Sequence, residues 1–198
     1  MEPFVRLTGV AAPLLMDDIN TDQVSPATTA FEPDYAALLF SRWRVEPDFV
    51  LNRKQFQSAR ILVAGKNFGC GSSRESAVWA LAAFGIRCVV ARSFGDMFRD
   101  NVLKNGLLPV ALDDATAEEF EREAVAADGR ATFTVNLETQ SIAAPSGWVF
   151  HFPIGPADRN ALLRGLDDIG LTLEHGKEIE RWEERTRSTA PWAQSLPA

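Results

Sequence analysis

The most regular stretch of the chain runs from residue 60 to 112, where short apolar runs alternate with segments of helical period. "RILVA" (60–64), "RCVVA" (87–91) and "LLPVAL" (107–112) have the continuous apolar character of strands buried on both faces. Between them, 74–85 ("RESAVWALAAFG") and 93–106 ("SFGDMFRDNVLKNG") read as helices, each ending on a glycine suited to a left-handed cap. Strand, helix, strand, helix, strand implies parallel pairing through right-handed crossovers.

The flanks are less regular. Upstream, "FVRLTGV" predicts a short strand, Pro13 a turn, and "LLMDDINTDQVSPA" a loop rich in turn-forming residues. "YAALLFSRW" is helical in period until Pro47 ends it. Downstream, "DATAEEFEREAVAADG" predicts an acidic, exposed helix, and "ATFTVNLETQSIAAPSGWVFHF" alternates like a β-hairpin or meander. A helix should start near Pro156 and turn at Gly165, followed by a charged helix over "HGKEIERWEERTRS". Both charge-rich helices read as solvated faces. The expected organisation is one domain over 1–187 and a flexible tail over 188–198.

Composition narrows the class. The 198 residues carry a net charge of -7, a sign that repels phosphate backbones and argues against a nucleic-acid partner. No apolar stretch is long enough to span a bilayer, and the first residues lack a basic region leading into a long apolar run. A cytoplasmic protein is expected. Cys70 and Cys88 are too few for a disulfide framework or an iron–sulfur cluster, and with only His151 and His175 a self-contained zinc site is not expected either.

The chemistry concentrates in "NFGCGSSRES", between the first buried strand and the helix after it. The carboxyl end of a parallel strand is where open α/β sheets bind ligands. Gly69 and Gly71 permit positive φ or close approach of a ligand to the backbone, and Ser72 or Ser73 would cap the helix. Free N–H groups there attract an anion, and Arg74 adds a planar fork for a carboxylate. Glu75 would complement the helix dipole and could pin Arg74. Two plainer readings stand beside this one: a Gly-Ser segment that only caps a helix, and a reactive thiol at Cys70.

"FGCGSSRE", with "DINTDQVSPA" upstream and "ARSFGDMFRDNVLKNGLLPV" and "GLDDIGLTL" downstream, resembles the 3-isopropylmalate dehydratase small subunits of the aconitase superfamily over about residues 4–185. The resemblance implies a three-layer β/β/α swivelling domain, like the C-terminal domain of aconitase, with a C-terminal helical extension. It implies a [4Fe–4S] cluster on a separate large subunit, none on this chain, and a small dicarboxylic hydroxy acid as substrate. The reaction would interconvert 2- and 3-isopropylmalate by dehydration and rehydration in leucine biosynthesis. In the family's terms Ser72 is the base, acting as an alkoxide, while Gly71, Ser73 and Arg74 contact substrate. Asp22 matches an active-site aspartate, its alternative being a turn-capping residue.

Two departures bear on substrate. Ser76 stands where the family usually has His, and no Lys or Arg occurs between Ala27 and Ser41. Residues 27–42, with Thr29, Phe31, Pro33 and Tyr35, are expected to read the substrate's side group and to favour an apolar or small one over a third carboxylate. Phe31 and Tyr35 could equally anchor the following helix in the core. Alternatives to isopropylmalate are a citraconate- or methylmalate-like diacid and, in another class, a non-catalytic anion-binding module.

Overall fold

The computed structural model describes residues 1–28, 33–190 and 192. The chain forms two compact units, Met1–Gly165 and Leu166–Ala198.

The first unit is built on two four-stranded sheets. An extended segment supplies one strand to each: β1 (Arg6–Gly9) and β2 (Ala11–Leu14). Strands β3 (Ile61–Ala64), β4 (Cys88–Ala91) and β5 (Leu108–Ala111) join β2 in a parallel sheet of order β2-β3-β4-β5. The antiparallel sheet, order β1-β6-β7-β8, adds β6 (Phe133–Asn136), β7 (Ser141–Ala143) and β8 (Val149–His151).

Pro13 therefore lies inside a strand, not at the expected turn. Having no N–H to offer a neighbour, a proline is tolerated at a sheet edge, and β2 is one of the two edge strands. The predicted hairpin or meander is a three-stranded meander completed by β1.

Helices α1 (Thr21–Val24) and α2 (Tyr35–Leu38) are single turns. The helical period of "YAALLFSRW" thus yields only one turn of helix, with Phe40 at φ 49 after it. The crossovers are α3 (Glu75–Phe84), closed by Gly85 at φ 108, and α4 (Asp96–Lys104). Then come α5 (Asp114–Ala127) and α6 (Pro156–Arg164), the latter closed by Gly165 at φ 68.

Alternation along the parallel strands defines the layers. Leu62, Ala64, Val89 and Ala91 face a core with Ala77, Val78 and Leu81 of α3 and Phe98 and Val102 of α4. Ile61, Val63, Cys88 and Val90 face a second core with Leu7, Phe133, Val135, Ile142 and Phe150 of the other sheet. Helices, parallel sheet and antiparallel sheet make the expected β/β/α stack.

Helix α5 corrects the expectation of a solvated helix. Ala117, Phe120 and Ala124 lie one turn apart and are buried in the second core.

The second unit holds α7 (Asp168–Leu173) and α8 (Gly176–Thr189), and neither buries a residue. Here the charged helix is solvated as read. No helix among the described residues is long and apolar enough to cross a membrane.

Candidate active site

The segment after β3 is not a slack loop. Its first half extends the parallel sheet beyond the ends of the strands. On one side the N–H groups of Gly65 and Gly69 donate to Met16 and Ile19, and those of Asp18 and Thr21 donate to Lys66 and Cys70. On the other side Phe68 donates to Ser93, and Gly95 donates back to Phe68. Side chains reinforce the weave. Asn67 Nδ2 donates to Asp18 Oδ1 at 2.7 Å, and Ser93 Oγ accepts from the Asn67 N–H at 2.8 Å.

Gly69 is fixed by packing. It sits at φ 75, and a Cβ there would fall 2.1 Å from Cγ of Phe98. Gly71, at φ 86, has room: the nearest atom to an added Cβ is 3.6 Å away. Its demand is conformational only.

The second half of the segment emerges into solvent. Gly71, Ser72 and Ser73 are exposed. Neither serine caps α3: its N-cap is Arg74, which makes no side-chain capping bond. The serines are instead held from opposite flanks. The hydroxyl of Thr21, itself buried, donates to the Ser72 carbonyl at 2.8 Å. Asn101 Nδ2 on α4 donates to Ser73 Oγ at 3.0 Å. Among the described residues the Ser72 hydroxyl has no hydrogen-bond partner. It is presented with its lone pairs open.

Arg74 pairs with Asp22 rather than with Glu75, Nη1 to Oδ1 at 2.7 Å. The side chains are 32% and 47% exposed, so the pair adds little stability, and its effect is to orient the guanidinium. Asp22 is not a turn cap. Asn20 caps α1, in a capping box with Gln23.

The structure thus gathers Asp22, Gly71, Ser72, Ser73 and Arg74 at one place. Thr21 and Asn101 were not singled out in the sequence, although both lie in stretches that carry the family resemblance. Their partners are 51 and 28 residues away in the chain, which no local pattern reveals. Of the side-group loop, Thr29 and Phe31 lie outside the described residues. Tyr35 packs edge-on to Trp79 of α3, ring centroids 5.4 Å apart, as a core anchor would.

Both cysteines are free thiols, Cys88 buried and Cys70 half-buried. Cys88 lies in the second core, where burial pushes its thiol pKa far up. Cys70 Sγ sits 3.5 Å from the Asp18 carbonyl oxygen, within the sheet extension. No group of three His, Cys, Asp or Glu among the described residues could hold a metal ion.

Comparison with known proteins identifies the family. Residues 5–115 match the family model of the aconitase C-terminal domain, and 168–195 match that of the C-terminal domain of the 3-isopropylmalate dehydratase small subunit. The 3-isopropylmalate dehydratase small subunit of Rhodospirillum centenum is 49% identical, over 98% of this chain and 99% of the relative. That of Rhizobium meliloti is 46% identical over 98% and 100%. A crystal structure of 3-isopropylmalate dehydratase from Methanocaldococcus jannaschii, 24% identical, superposes with a TM-score of 0.62 over 90% of this chain and 99% of that one, which supports the fold. The chain belongs to the 3-isopropylmalate dehydratase small-subunit family of the aconitase superfamily.

Proposed function

We propose that this family member supplies the proton-transfer and carboxylate-binding half of a hydro-lyase active site, the other half coming from a large subunit. The overall reaction interconverts 2-isopropylmalate and 3-isopropylmalate. Water is lost across two neighbouring carbons and added back with the hydroxyl on the other carbon. The observation that carries the reading is the open Ser72 hydroxyl beside an oriented Arg74, at a helix start that no side chain caps.

A C–H next to a carboxylate is a weak acid, and a neutral serine is a weak base. Ser72 must act as an alkoxide, which needs local positive potential. The uncapped N–H groups at the start of α3 supply it, with the Arg74 guanidinium and the Ser73 hydroxyl beside them. Asp22 occupies one arm of Arg74 and leaves the rest of the fork for a substrate carboxylate. After dehydration the Ser72 proton returns to the neighbouring carbon in the reverse sense.

The residues of this chain do not fit a [4Fe–4S] cluster, since Cys88 is in the core and Cys70 is held in the sheet extension. The Lewis-acid chemistry of such a cluster belongs to the large subunit. A complex of this kind, with an acidic chain and a small diacid substrate, is assigned to the cytoplasm. Residues 1–187 act as the swivelling domain and 188–198 as its tail.

Reconstitution with a large subunit tests the assignment. Ser72→Ala should lower kcat by about 10²–10⁴ with little change in KM, as expected for a general base. Near-full kcat in Ser72→Ala would remove Ser72 from the chemistry.

A further inference from the structure

We propose that Asn101 is a positioning residue for the active serines, fixing Ser73 so that its hydroxyl hydrogen faces the reacting side. The proposal rests on Ser72 as the base and adds what holds its neighbour in a productive state. One face of α4 runs along the joint after β3. Phe98 packs beneath Gly69, where even a methyl group would not fit. Asn101, three residues on and on the same face, bonds Ser73 Oγ at 3.0 Å. Asn105, a further turn along, accepts from Trp79 Nε1 of α3 at 3.1 Å and donates through Nδ2 to the Asn101 carbonyl at 2.9 Å. Buried Phe98, Val102 and Leu103 lock this helix into the core. The amide of Asn101 therefore stands on a rigid element.

The direction of the bond carries the consequence. Ser73 Oγ accepts from Asn101, so its own hydrogen is left free. A hydroxyl hydrogen held on that side stabilises a neighbouring alkoxide and lowers the pKa of the base. An exposed hydrogen bond of this kind adds little to folding. Its effect lies in orientation.

Two near-isosteric variants test this in the complex with the large subunit. Asn101→Leu removes the donor. Asn101→Asp, when ionised, reverses the polarity, so that Ser73 donates toward helix α4 instead. Each should lower kcat by about ten- to a hundredfold, with KM within about twofold. The alkaline-going rise of the kcat–pH profile should move to higher pH, further for Asn101→Asp. A merely structural role would leave that limb in place. Ser72→Ala is measured alongside, and complex assembly is checked by gel filtration. An inactive Ser72→Ala together with an Asn101→Leu complex of near-wild-type kcat and an unmoved limb would overturn the role of Asn101 and leave the base intact. A fully active Ser72→Ala would overturn the base itself.

Discussion

Helices α3 and α5 both begin at the carboxyl end of a strand in the same parallel sheet, yet their first turns are finished differently. Asp113 closes α5 by itself, accepting from the N–H groups of Ala115 and Thr116 at 3.1 Å each and from the Thr116 hydroxyl at 2.7 Å. The start of α3 has Arg74 at the N-cap and no side-chain bond to its N–H groups. A self-capped helix start is electrostatically spent, whereas an uncapped one can still attract an anion. Of these two starts the chain gives up local helix stability at the one that carries the serines and keeps it at the other; α4, with Gly95 at its N-cap and no side-chain bond, also starts open.

The comparison can be broken by giving α3 the cap it lacks. Arg74→Asn should cap the helix and hold or raise Tm, while kcat/KM of the reconstituted complex falls by about a hundredfold or more through loss of the carboxylate fork. Unchanged kcat/KM would mean that the open start has no part in binding substrate.

Next in size is the contrast within the joint. Gly69→Ala drives a methyl into Phe98 at an unfavourable φ and should destabilise by about 3 kcal/mol or more. Gly71→Ala, with open space around it, should cost only about 1–2 kcal/mol. Equal losses in urea denaturation would contradict the division into a packed first half and an open second half.

The smallest effect is expected at the self-capped start. Asp113→Ala should lower Tm modestly and leave kcat unchanged. Bonds from the Thr116 side chain and backbone hold the Asp113 carboxyl below its ordinary 3.8 in the fold. Its contribution is therefore present above that value and is lost as pH falls through the lowered folded value. Thermal melts of both proteins should differ at neutral pH and converge in acid; a gap that persists at low pH would remove the charge from the explanation.

These contrasts also show what the residues disclosed in advance. The run from β3 to β5 was readable because fully buried strands are continuously apolar and Gly85 and Gly106 stop their helices. Strand β2 was hidden by Pro13, which reads as a turn wherever the sheet edge is not known. The buried face of α5 was masked because two of its three members, Ala117 and Ala124, are small and the rest of the helix is acidic. Ser72, Ser73 and Arg74 could be picked out as a polar cluster at a strand end. Asp22 is reached through the family resemblance, but Thr21 and Asn101 are not legible, because they hold the serines from other elements.

The most direct test follows the proton itself. The reconstituted complex is given substrate deuterated at the carbon that loses hydrogen, and loss of label from that carbon, whether to its neighbour or to water, is measured. With Ser72 as the base, the wild-type complex releases the label, while Ser72→Ala binds the same substrate with similar affinity and retains it. Release from Ser72→Ala at the wild-type rate would show that another group takes the proton.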